Sequence, residues 1–94
     1  MQHIYVCLTE FPTDSRSPMV SMHGFKHEKQ ALKYCKDDIE ISKAGDKTKN
    51  IEEVFYHYHT PAGRYVKDVI GYSLLSYTGE CLRMSTVVPI NITD

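Results

Sequence analysis

The chain has no tryptophan, only three cysteines, four prolines and five glycines in 94 residues, and its charges almost cancel, with eleven Lys and Arg against twelve Asp and Glu. Each scarcity excludes something. A net charge of -1 argues against a wholesale basic nucleic-acid binder and equally against an acidic mimic of DNA, so any electrostatic function has to be local. Cys7, Cys35 and Cys81 are odd in number, widely spaced and without a Cys-x-x-Cys pair, which speaks against a disulfide framework or zinc knuckle. Among apolar neighbours, they read as reduced thiols packed like small hydrophobes. No apolar run approaches the roughly 20 residues of a bilayer-spanning helix, and Met1-Gln2-His3 lacks the basic start and apolar stretch of an export signal. The expectation is a cytoplasmic protein with no membrane contact.

Catalytic signatures are missing too. There is no Gly-x-Ser-x-Gly elbow, no Ser-x-x-Lys, and neither Gly-x-x-x-x-Gly-Lys nor Gly-x-Gly-x-x-Gly for phosphates. Asp37-Asp38 and Glu52-Glu53 are adjacent pairs whose side chains diverge on a helix or strand, so they read as solvated charges rather than an acid/base couple. No catalytic residue and no cofactor is assigned.

What is present is one domain's worth of alternating pattern. With 41% hydrophobic residues, no internal repeat and no long linker, residues 1–94 read as a single unit. Ile4, Val6 and Leu8 alternate with Tyr5, Cys7 and Thr9, the period of two of a strand. Phe11 to Pro18 combines two prolines with turn formers and should loop over the surface before a short strand from Met19 to Met22. A helix is expected from near Glu28 to about Lys43. Phe25 would staple its first turn, His27 stand as a cap with Gln30 three residues on, and Gly45 end it. At 100° per residue, Ala31, Leu32, Cys35, Ile39 and Ser42 fall in one arc of roughly 100°, a core-facing stripe.

Residues 51–70 admit two readings. Asn50 with Glu53 resembles a capping box, and Ile51, Val54, Phe55 and Tyr58 have helical spacing. Val54-Phe55-Tyr56-His57-Tyr58-His59-Thr60 is nevertheless built from β-branched, aromatic and His residues, with Pro61-Ala62-Gly63 as turn chemistry, and a hairpin is favoured. A second hairpin is expected from Tyr72 to Val88 around Thr78-Gly79-Glu80, with pairing stopping at Pro89. The sum is an α+β domain: a mainly antiparallel β-sheet with one amphipathic helix packed on one face.

Three features carry functional content. Five histidines include His57-x-His59, which a strand would aim to one face, and His23-x-x-x-His27; four metal ligands would need both pairs to meet, and the plainer reading is half-exposed side chains with no metal. Lys29, Lys33 and Lys36, continued by Lys43, lie within about 40° of one line on the helix and form an exposed basic stripe, whose plainer reading is simply the solvated side of an amphipathic helix. Seven tyrosines are more than a small core can hide, and Tyr suits interfaces because it offers contact area at little rotamer cost. On a strand, Tyr56 and Tyr58 would face away from His57 and His59.

The candidate binding set is therefore Tyr56, His57, Tyr58, His59, Tyr65, Lys29, Lys33 and Lys36. The favoured expectation is a small non-enzymatic binding protein, an accessory or inhibitory protein of the kind a phage or mobile element uses against a host defence complex. It would occupy a surface of a larger protein or ribonucleoprotein. Against it stand an RNA- or DNA-binding module using the Lys stripe with Tyr stacking, and, behind both, a metal-dependent enzyme. A homodimer through an uncovered sheet edge is a further expectation to test.

Overall fold

A computed structural model describes residues 2–12 and 19–92; the loop expected over Phe11 to Pro18 lies outside them from residue 13 onward. The elements follow as β1 (Gln2–Glu10), β2 (Met19–Phe25), α1 (Glu28–Lys43), β3 (Asn50–His59), β4 (Tyr65–Leu75) and β5 (Cys81–Ile92). The strands form one antiparallel sheet in the order β2-β1-β5-β4-β3. The helix joins one edge strand to the other and crosses a single face, over β1, β5 and β4. This is the expected α+β architecture, and residues 51–70 form the hairpin rather than the helix.

The helix seats itself through the stripe read from its periodicity. Ala31, Cys35 and Ile39 are wholly buried, with Leu32 and Ser42 half-buried at the margins, and Ala31 and Cys35 pack with Cys7 and Val87 of the sheet. Both termini depart from expectation. His27 occupies the N-cap position without a side-chain hydrogen bond; its carbonyl instead accepts from the N–H groups of Gln30 and Ala31, and Phe25 packs on Tyr34. At the other end the left-handed turn begins one residue early, at Ala44 (φ 52°), and continues through Gly45 (φ 75°). A Cβ in that conformation costs roughly 1–2 kcal/mol.

Asp38 is not the solvated charge its neighbour Asp37 suggested. Its carboxylate is reached by Arg83 of β5, which donates from Nε to Oδ2 at 2.8 Å and from Nη2 to Oδ1 at 2.7 Å. Ser85 Oγ donates to Oδ2 at 2.7 Å, and the Ser85 hydroxyl lies 3.2 Å from that of Thr9 in β1. Burial pushes the Asp38 carboxyl up, but the hydrogen bonds from Arg83 and Ser85 outweigh it and hold it below the usual carboxylate range. A polar tie thus fixes α1 against two central strands beside an otherwise apolar contact.

The sheet forks. β3 and β4 pair along their whole length, but β4 pairs with β5 only from Gly71 to Leu75, while β5 stays with β1 out to Ile92. The fork opens at the Gly71–Thr86 pair, where a Cβ on Gly71 would stand 2.1 Å from the Ser85 carbonyl oxygen and 2.7 Å from Thr86 Cα. Only glycine admits so close an approach. Ile70, unpaired beside it, is the extra residue of a bulge against Val54 and Phe55, the device that bends a strand out of a sheet. Pro89 does not stop pairing as expected. It sits opposite Tyr5 in a stretch of β5 that has β1 on one side only, and a proline is tolerated at such an edge. The radius of gyration, 14.6 Å, exceeds the roughly 12 Å of a compact chain of this length, as a projecting arm requires.

Candidate binding surface

The projecting arm is the outer half of the β3–β4 hairpin. Its tip closes through Thr60: the Thr60 N–H donates to the Arg64 carbonyl at 2.8 Å, the Gly63 N–H to the Thr60 carbonyl at 2.8 Å, and the Arg64 N–H to Thr60 Oγ1 at 3.1 Å. The β4–β5 turn repeats the scheme with Ser76, Gly79 and Glu80. Gly63 (φ 82°) and Gly79 (φ 86°) supply the left-handed position in each, a recurrent hairpin solution. In both turns the Ser or Thr hydroxyl takes an N–H that would otherwise face water alone.

Strand alternation places the expected residues as read. On one face of the arm the rings of Tyr56 and Tyr58 stack at 5.4 Å, and the Tyr58 hydroxyl donates to Asp68 Oδ2 at 3.1 Å. That hydrogen bond to a carboxylate pushes the Tyr58 phenol above its ordinary pKa. On the other face Tyr65 lies between His57 and His59, with centroids 5.8 and 5.5 Å away, and its hydroxyl shares a hydrogen bond with His57 Nδ1. Phe55 continues the row, with the Lys67 ammonium 3.8 Å above its ring. Tyr56 and Tyr65 remain 57% and 55% exposed. No tyrosine among the described residues is fully buried.

The face opposite α1 is also uncovered next to the arm. Cross-strand pairing sets Ile4 beside Ile90, Val6 beside Val88, and Leu8 between Met22 and Thr86, a field without a charged side chain. Met22, Val88 and Ile90 are 56%, 40% and 39% exposed there. The signal lay in β1, where both alternating sets, Ile4-Val6-Leu8 and Tyr5-Cys7-Thr9, avoid charge although α1 covers only one of them.

The remaining expectations separate. Lys29, Lys33 and Lys36 are exposed on α1, while His57, His59 and Tyr65 form their row on the β3–β4 arm, so the basic stripe and that aromatic row stand on different elements. His23 packs on Tyr34 at 4.7 Å and His27 stands at the helix start, apart from His57 and His59. Among the described residues no three His, Cys, Asp or Glu side chains gather as a metal would need, and no helix is long and apolar enough to cross a membrane. Cys7 and Cys35 are buried, Cys81 partly so, and all three are free. The Cys35 thiol, hydrogen-bonded to Cys7 and desolvated, is held far above the usual thiol range.

Sequence reasoning missed a cleft inside the fork. Tyr5, Val87 and Pro89 form one wall, Tyr56, Asp68 and Ile70 the other, and Glu28 of the first helical turn the end, around about 350 Å³. Its residues come from five elements, and no local pattern announces it. Comparison of the chain with protein-family models, curated proteins and solved structures finds no match.

Proposed function

We propose that this chain is a small non-enzymatic binding protein, accessory or inhibitory in role, which occupies a surface of a larger protein through the β3–β4 arm and the apolar face beside it. One observation carries the reading: the arm leaves the sheet at Gly71 and carries five of the chain's tyrosine and histidine rings, two tyrosines of them more than half exposed. Holding such rings in water gains the fold little, whereas rigid amphipathic rings on a stiff hairpin lose little entropy when a partner covers them. Met22, Val88 and Ile90 beside the arm add exposed apolar side chains that the same partner could cover.

The exposed stripe of Lys29, Lys33 and Lys36 supports a second reading, contact with nucleic acid or a ribonucleoprotein. The stripe lies on α1 and the His57, His59 and Tyr65 row on the β3–β4 arm, so the two readings engage different elements. One capture experiment distinguishes the two. Tagged protein is retrieved from lysate of its source cell beside a Tyr56→Ala/Tyr65→Ala variant and a Lys29→Ala/Lys33→Ala/Lys36→Ala variant. The arm reading expects a co-purifying protein that survives the lysine changes and high salt and is lost with the tyrosines. Nucleic acid released by salt and by the lysine changes alone would overturn it.

A further inference from the structure

The cleft in the fork has a chemistry distinct from the rest of the surface. Its walls are apolar and aromatic, from Tyr5, Tyr56, Val87 and Pro89, yet two carboxylates, Glu28 and Asp68, line it as well. Among the described residues neither carboxylate pairs with a base: the ion pairs are Lys49 with Asp46 and Arg83 with Asp38, and the one side-chain partner of Asp68 is the neutral Tyr58 hydroxyl. Lys67, next to Asp68 in the chain, is turned to the opposite face over Phe55. Two exposed acids without a basic partner, beside tyrosine rings in a concavity of about 350 Å³, suit a cation with a flat apolar body.

The backbone beside the cleft adds a second requirement. From Tyr65 to Ile70, β4 has β3 on one side and no strand on the side facing β5. That free edge can pair with an extended segment entering the fork, and alternate side chains of the segment would then point into the cleft. The facing stretch of β5 contains Pro89, which lacks an N–H, so the β4 edge is the better template.

The geometry points to the fork as the docking site for an extended segment of a partner protein that places one arginine side chain between Tyr56 and Tyr5, its guanidinium on Glu28 and Asp68. Arginine suits the site better than lysine because its plane stacks on tyrosine and its fork of donors serves two carboxylates at once. This deepens the arm-binding reading by naming the partner's chemistry, and it rests on that reading.

The test uses the full chain, isotopically labelled, titrated with N-acetyl-arginine-N-methylamide and, separately, with its norleucine counterpart, following backbone amide resonances. Saturable shifts confined to Tyr5, Glu28, Tyr56, Asp68, Ile70 and Val87 are expected with arginine and not with norleucine. Glu28→Gln/Asp68→Asn, whose folding the same spectrum reports, should weaken the arginine probe by about fivefold or more, on the scale of two partly exposed ion pairs. Equal shifts with norleucine, arginine shifts scattered over other acidic residues, or an unchanged dissociation constant in the variant would each overturn the proposal. The same variant in the capture experiment separates the two readings. A partner retained by Glu28→Gln/Asp68→Asn but lost by Tyr56→Ala/Tyr65→Ala sinks the arginine site and leaves the arm standing. A saturable arginine probe with no protein captured by the arm sinks the arm reading instead.

Discussion

Replacing Asp38 by alanine tests whether the polar tie between α1 and the sheet carries the weight its geometry suggests. The carboxylate accepts two hydrogen bonds from Arg83 and one from Ser85, with side-chain exposures of 16% for Asp38 and 20% for Arg83. An exposed ion pair is worth up to about 1 kcal/mol, and stranding one partner of a buried pair costs roughly 3–5 kcal/mol. The pair is mostly but not wholly desolvated, and Ser85 keeps Thr9 as a partner, so the expected loss is about 3 kcal/mol. For a chain of this size each kcal/mol moves the Tm by roughly 4–8 °C, giving a fall of about 12–24 °C. Chemical denaturation should show a lower midpoint at unchanged slope. A double-mutant cycle with Arg83→Met should return a coupling above about 1.5 kcal/mol, because the second change removes the charge the first leaves stranded. The pH dependence has a defined sign. The Asp38 carboxyl titrates lower in the folded chain than in the unfolded one, so its contribution is complete above the unfolded value near pH 4 and disappears as pH falls through the folded value. Asp38→Ala should flatten the stability profile in that acid window alone. A loss under about 1 kcal/mol with no coupling would refute the tie.

Gly71→Ala sets a Cβ against backbone atoms of Ser85 and Thr86 that no rotamer change can move, and should cost about 3 kcal/mol, the upper end for overpacking. Amide exchange should show protection lost first where β4 meets β5 and kept between β1 and β5; uniform protection would contradict the fork. Ala44→Gly, which relieves a left-handed Cβ at the end of α1, should raise stability by about 1 kcal/mol in the same denaturation assay. In native protein a thiol reagent should modify Cys81 and spare Cys7 and Cys35 until denaturant is added, read by mass; rapid labelling of Cys35 would disprove the packed thiol pair.

The parts of the fold that were legible in the sequence were those set by neighbours in the chain. Alternation from Val54 to Thr60, with Gly63 available for the turn, outweighed the Asn50 to Glu53 capping signal because β-branched and aromatic residues gain most on a pleated surface with a partner strand. The same alternation set Tyr56 and Tyr58 on the face opposite His57 and His59. Asp38 was misread from its neighbour Asp37, although it stands seven residues after Ala31 and therefore on the buried side of the helix. The end of strand pairing at Pro89 was misjudged because a proline's cost depends on whether a second strand lies alongside, which in turn depends on where β4 parts from β5. The cleft had no local signal at all, being made by residues as distant as Tyr5, Glu28, Tyr56 and Pro89.

The tip of the arm, Pro61-Ala62-Gly63, is exposed at the end of a hairpin whose folding interactions lie back toward Leu74 and Ser85. Substitution at Pro61 or Ala62 leaves the hydrophobic nucleus untouched, whereas Gly63 is held to glycine by its positive φ. The same separation makes the apex a natural graft point: a foreign epitope or fluorophore inserted there would ride on the hairpin, leaving the seat of the helix undisturbed.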